Sequence, residues 1–234
     1  MSTNGIFSPP QPANEPVTGF APGTAQRRSL QAEVARQLNE VIEIPCVVGG
    51  KRIHTGQIRE VTNPSDHGHV IAKAHLATPE VIQDAIQSNL DAQAEWAALP
   101  WQERAAVVHR AADLLAGSHR DKINASTMIG QGKTCHQAEI DAACELIDFF
   151  RFNVAFAAQI LAEQPGSNPG MWNRVEHRPL EGFVFALTPF NFTSIAGNLP
   201  SAPAMMGNTV VWKASKTQIY SAKVLMDLFR EAGV

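Results

Sequence analysis

Two polar side chains frame a long uncharged stretch in a way that suits them to chemistry. No Asp, Glu, Lys or Arg occurs between Glu181 and Lys213, and the run reads GFVFALTPFNFTSIAGNLPSAPAMMGNTVVW. Asn191 follows a Pro-bearing turn at the mouth of one apolar segment, Gly182–Leu187, and Lys213 ends another, Thr209–Trp212. An amide held rigidly in a partly dry cleft is what an oxyanion donor requires, and one such donor is worth on the order of a hundredfold in rate. The same amide serves as well in an Asx turn or as the N-cap of a following helix. A strand-end lysine can lay its stem on apolar surface and reach a ligand hydroxyl or phosphate, or it can simply be solvated. Composition and spacing leave both pairs of alternatives open.

The elements that position these residues are legible. Gly182–Leu187, stopped by Thr188-Pro189, has the length and flanks of a buried parallel strand, and Thr209–Trp212 after Gly207-Asn208 is a second. About twenty residues separate them, enough for a crossover helix, so the unit is βαβ. Ligands bind at the carboxyl ends of such strands. Thr217 to Glu231 carries Ile219, Val224-Leu225 and Leu228-Phe229 at helical spacing, with Gly233 at the cap.

Everything upstream reads as scaffold. Thr24–Glu43 is expected to be an amphipathic helix, Ile44–Ile53 a hairpin about Gly49-Gly50, and Ile58–Ala77 extended with a turn at Asn63–Asp66. Thr78-Pro79-Glu80 starts a helix that runs to about Ala97, with Val81-Ile82, Ala85-Ile86 and Leu90 inward. A second helix lies between Pro100 and Gly117, and a third begins near Asp121. A long fourth runs from about Gln137 to Ala162, and Met171–Leu180 is irregular.

Other candidate chemistry is weaker. Gly130-Gln131-Gly132-Lys133-Thr134 suggests a phosphate loop, but Thr127 stands where that pattern needs glycine and a helix precedes it, so it reads as the turn into the long helix. Adjacent Cys135-His136 point a quarter turn apart, Cys144 reads as a small core residue, and His67-Gly68-His69 lacks a third ligand and reads as a surface pair. No metal site is expected. The net charge of −3 without a basic stripe excludes a general nucleic-acid binder, and the uncharged run is too polar to span a membrane. Three cysteines without metal spacing favour a reducing compartment. The first basic residue is Arg27 and no long apolar core precedes it, so neither a secretory nor a transit peptide fits and a cytoplasmic location is expected.

Thr188-Pro189-Phe190-Asn191-Phe192 and Gly207-Asn208-Thr209-Val210-Val211-Trp212-Lys213-Ala214-Ser215 resemble the Pro-aromatic-Asn-Phe and Gly-Asn-(apolar)-Lys-Pro-Ser motifs of the aldehyde dehydrogenase superfamily. Gly130–Asn153, Leu180–Lys213 and Ala13–Val17 resemble, more narrowly, its 1-pyrroline-5-carboxylate dehydrogenase branch. The likeness runs from about Ala13 to the last residue. It implies an α/β fold, with a helical and antiparallel-β N-terminal part around an incomplete Rossmann-like parallel-sheet cofactor domain. The corresponding divisions are a flexible segment 1–23, the N-terminal part 24–180, and the first βαβα portion of the dinucleotide-binding domain, 181–234.

The resemblance implies that Asn191 stabilises the oxyanion, that Thr188, Lys213 and Ser215 contact NAD, and that Phe192 walls the aldehyde tunnel. Glu145 would face that tunnel, with helix capping or surface exposure as the plainer alternative. Lys216 stands where the superfamily usually has an acid sharing the ribose hydroxyls, so a 2′-phosphate, and hence NADP, stays open. The implied activity is oxidation of a small aldehyde, L-glutamate γ-semialdehyde, in proline breakdown, by a homo-oligomer. The family's nucleophilic cysteine, general-base glutamate, Gly-rich turn and substrate-anchoring loop would follow Val234, so these 234 residues alone are expected to be inactive. A non-catalytic binding or oligomerisation module, or an enzyme for another semialdehyde, are the alternatives.

Overall fold

The computed structural model describes residue 5 and residues 7–234. Helix α1 (Ala25–Leu38) starts at Thr24, whose hydroxyl accepts from the Arg27 amide. It stops short of the expected Glu43. Ile42–Ile44 forms strand β1 instead, parallel to β5, because β-branched residues beside an open strand gain more from pairing than from another helical turn.

Strands β2 (Cys46–Val48) and β3 (Lys51–Ile53) form the expected hairpin. Gly49 and Gly50 have φ of 54° and 73°, the two positive values that a type I′ turn demands. Strands β4 (Ile58–Asn63) and β5 (Asp66–His75) pair antiparallel around a turn in which the Ser65 amide donates to Asn63 Oδ1 at 2.8 Å. The resulting sheet has the order β1-β5-β4.

Helix α2 (Pro79–Ala98) begins as the sequence predicts, with Thr78 accepting from the Val81 amide and Pro79 at its first position. Its expected inner face is not buried. No residue of α2 is buried, and Ile82 and Leu90 are 47% and 41% exposed. Helices α3 (Trp101–Ala116) and α4 (Arg120–Gln131) follow, and Gly132 ends α4 in the left-handed region. The long fourth helix is continuous but not uniform. It comprises α5 (Cys135–Ala138), a π-helical segment (Glu139–Glu145) and α6 (Leu146–Ala162), and Thr134 and Gln137 close a capping box at its start. Met171 to Leu180 is irregular apart from a bridge between Asn168 and Met171.

The βαβα unit is present. Strands β6 (Val184–Leu187) and β7 (Val210–Lys213) are parallel, in a register that sets Leu187 opposite Lys213. Helix α7 (Thr193–Met205) crosses between them and α8 (Ile219–Ala232) follows, ended by Gly233 at φ 110°. The largest core joins α3, α4, the π-helical segment, α6, α7 and α8 around Leu115, Ile123, Leu146, Ile147, Phe150 and Leu225. A Cβ on Gly197 would stand 2.8 Å from the Leu146 methyl groups, so only glycine lets α7 lie this close to α6. A second core, around Ile71, Ala72, Ile129 and Tyr220, fastens the three-stranded sheet to α4 and α8.

Residues 1–4 and 6 of the stretch expected to be flexible lie outside the described residues. Further along that stretch, Asn14 Nδ2 and the Glu15 amide donate to Asp148 at 2.7 Å, and the Thr18 amide donates to Glu139 at 2.7 Å. Glu15 also pairs with Arg120 and Arg151. A sequence rich in proline is here held by charge, across more than a hundred residues of chain.

Candidate functional site

The carboxyl ends of β6 and β7 meet at one edge. Thr188, Asn191, Phe192, Lys213, Ser215 and Lys216 lie at or just beyond those ends in the chain, whereas Glu145 lies on the long helix. Thr188 follows β6 directly and is buried. Its amide donates to the Lys213 carbonyl at 3.3 Å, and its hydroxyl accepts from Trp212 Nε1 at 3.0 Å. Thr188 therefore locks the two strand ends together, with its side chain turned inward. Lys213 is exposed and makes no salt bridge among the described residues. Lys216 is exposed as well, and Ser215 shares a 3.2 Å hydrogen bond with Thr217. Two ammonium groups that are unpaired among the described residues and a hydroxyl at a strand end fit the oxygens of a sugar or phosphate.

Asn191 lies in the five-residue connection from β6 to α7 and is exposed. Its side chain makes no hydrogen bond within the described residues. The helix-cap alternative does not hold, because the N-cap position belongs to Phe192, which has no capping side chain. The first amides of α7 go elsewhere. Thr193 N and Ser194 N each donate at 3.0 Å to the two oxygens of Asp141, a buried residue of the π-helical segment. Lys133 donates to the same carboxylate at 2.6 Å, and its ammonium lies 4.5 Å from the centre of the Phe192 ring. Phe192 and Phe190, which flank Asn191 in the chain, are 39% and 65% exposed. Glu145, half-buried one helical step from Asp141, accepts from Ser194 Oγ at 2.8 Å.

Asp141 and Lys133 escaped the sequence reading. A signal was present: Asp141, Glu145 and Asp148 recur at i, i+4 and i+7 between apolar runs of the long helix, so these acids share one of its faces. The other end of α7 is held the same way. Trp96 Nε1 donates to the Ala204 carbonyl at 2.8 Å, Arg104 Nε to Met205 at 2.9 Å, and Asn208 Nδ2 to Pro203 at 2.9 Å. These bonds matter because the last carbonyls of a helix have no intrahelical donor of their own.

Two of the three thiols are held in the protonated form by their surroundings. Burial and the neighbouring Glu139 carboxylate push Cys144 up to about 12, and burial raises Cys46. Cys135 is free at the start of the long helix. Near Cys144, burial pushes Glu139 upward, yet hydrogen bonds from Arg120, the Thr18 amide and Asn124 prevail and hold its carboxyl below the usual range.

A second cluster lies far along the chain. His54 Nδ1 stands 3.3 Å from Glu43 and 3.2 Å from His75 Nε2, spacing that invites a metal. The Gly56 amide, however, donates to His75 Nδ1 at 3.2 Å. That bond leaves the ring proton on Nε2, where a metal needs a lone pair, so the two rings form a hydrogen-bonded pair.

The chain matches the aldehyde dehydrogenase family over residues 52–234. It is 46% identical over 230 residues to the delta-1-pyrroline-5-carboxylate dehydrogenase of Agaricus bisporus, covering 97% of this chain and 42% of that protein. The mitochondrial protein of the same name from Homo sapiens is 46% identical over 222 residues, covering 95% and 39%. The crystal structure of the delta-pyrroline-5-carboxylate dehydrogenase from Mycobacterium tuberculosis bound with NAD superposes with a TM-score of 0.97 at 52% identity, over 99% of this chain and 44% of that one. The chain thus spans about two fifths of the length of these relatives. A parallel β6–β7 edge carrying both motifs, set in the α/β architecture of those structures, goes with one conclusion: the chain belongs to the aldehyde dehydrogenase family.

Proposed function

We propose that the chain is the amino-terminal part of a 1-pyrroline-5-carboxylate dehydrogenase, which oxidises L-glutamate γ-semialdehyde to L-glutamate with NAD in proline breakdown. One observation carries this reading: Asn191, without a side-chain hydrogen bond, and Lys213, without a salt bridge, among the described residues share the carboxyl edge of β6 and β7. The names of the most similar relatives support the choice of substrate.

In this reading the Asn191 amide donates to the carbonyl oxygen as a nucleophile adds to the aldehyde and negative charge develops there. Phe192 forms an aromatic wall on the aldehyde's path to that amide. Lys213 and Ser215 take the ribose hydroxyls, and the cation at Lys216 leaves room for the 2′-phosphate of NADP. Bound NAD supplies the acceptor for the two electrons lost by the aldehyde. Cys144 and Cys46, raised by burial, make poor thiolates at neutral pH, and in this reading the nucleophile and the base that releases the acid are supplied by the rest of the enzyme. The complete enzyme is read as a homo-oligomer.

The test is NADH formation by the product of the full coding sequence. Turnover with glutamate γ-semialdehyde should exceed that with short aldehydes lacking the amino-acid end. Equal rates on several unrelated aldehydes would replace the substrate assignment. Turnover by the 234-residue chain alone would return the nucleophile to it and overturn the division of labour.

A further inference from the structure

We propose that Asp141, held by Lys133, is a positioning residue for Asn191 and acts through the first turn of α7. The inference rests on the reading of Asn191 as the oxyanion donor.

Asn191 makes no side-chain hydrogen bond within the described residues, so its aim depends on the backbone that carries it. That backbone is clamped immediately downstream. The amides of two consecutive residues, Thr193 and Ser194, fall on the two oxygens of one buried carboxylate at 3.0 Å each. A helix start normally meets this need with its own N-cap side chain, which Phe192 lacks. Here the cap comes from 52 residues away, presented by a π-helical turn between α5 and α6. Such turns recur at functional sites because the extra residue re-aims side chains that a regular helix would turn elsewhere.

The same carboxylate has a further partner. Lys133 bonds it at 2.6 Å and also stands over the Phe192 ring, so one ammonium ties the clamp to the aromatic wall beside Asn191. Thr193 is held from a third side, its hydroxyl meeting Thr127 at 2.9 Å and Gln131 at 2.6 Å. An oxyanion donor is effective because it is already in place when charge develops, and a shift of about 1 Å costs about a hundredfold. The clamp is the part of this chain that prevents that shift.

The experiment uses the full-length enzyme, with Asp141→Asn made alone and together with Asn191→Ala. Asparagine keeps the shape but turns an N–H toward an amide donor or toward Lys133. The expected result is a fall in the pre-steady-state rate of NADH formation of about 10- to 100-fold, with the KM for NAD within about twofold. In the Asn191→Ala background the same change should cost about threefold or less, because the group it positions is already gone. An equal loss in both backgrounds marks a general structural role and overturns the proposal, as does an unchanged rate in Asp141→Asn. Should Asp141→Asn fail to fold, Lys133→Gln leaves the amide clamp in place. It is expected to slow the same step about 3- to 10-fold, and an unchanged rate there overturns the proposal. If wild-type enzyme turns over no aldehyde, the functional reading fails. Amide exchange at Thr193 and Ser194 still reports the clamp, accelerating in Asp141→Asn while that of β6 does not.

Discussion

Strands β5 and β6 each carry a short apolar run, and the two runs end in different surroundings. In β5, Ile71, Ala72 and Ala74 are essentially inaccessible, covered by α1, α4 and α8. In β6 only Ala186 is buried, while Phe185 and Leu187 are 57% and 58% exposed on the opposite face. Gly182–Leu187 reads as a buried strand, yet one of its faces is uncovered within the described residues. Apolar residues and turn signals select a strand. What covers that strand is a separate matter, settled by the rest of the fold.

This contrast can be broken by measurement. Glu139→Gln should have the largest effect, about 3–5 kcal/mol in urea unfolding, because it leaves the Arg120 guanidinium short of a buried partner in the covered half of the molecule. Ile71→Ala should cost about 2–5 kcal/mol through lost burial and the cavity it leaves. Phe185→Ser should stay within about 0.5 kcal/mol, since its side chain is already largely in water. Equal losses at Ile71 and Phe185 would mean that the β6 face is covered in solution.

The charge that secures the covered half also gives it a pH limit. The folded value of Glu139 lies below the unfolded value of 4.5, so its contribution is complete above pH 4.5 and is lost as the pH falls through the folded value. Thermal midpoints of wild type should therefore drop below pH 4.5, and Glu139→Gln should flatten that drop. A smaller effect, about 1 kcal/mol, is expected from Thr78→Ala through loss of the hydroxyl that caps α2. A cost near zero would show that α2, which buries no residue, frays without consequence.

Local chemistry made much of the fold readable. Gly49-Gly50, Thr78-Pro79 and Gly233 each mark a position where one backbone conformation is strongly preferred, and each marks a boundary found in the structure. Where a segment's state depends on a distant partner, the reading failed. Val41-Ile42 continue a helical pattern, but β5 lies beside them and Ile42–Ile44 pairs with it as a strand. Ile82 and Leu90 keep helical spacing on a face that nothing here covers.

The candidate site divides along the same line. That Asn191 and Lys213 end two parallel strands follows from the order of apolar runs and turns, which is local information. That Asn191 does not cap α7, that Asp141 does so from the long helix, and that Trp96 and Arg104 hold the far end of α7 are contacts across 52 to 108 residues. Sequence spacing sets which side chains share an element and a face. Only packing decides which buried amide or carbonyl each polar group must satisfy, because that cost arises when water is excluded, and exclusion is a property of the folded whole.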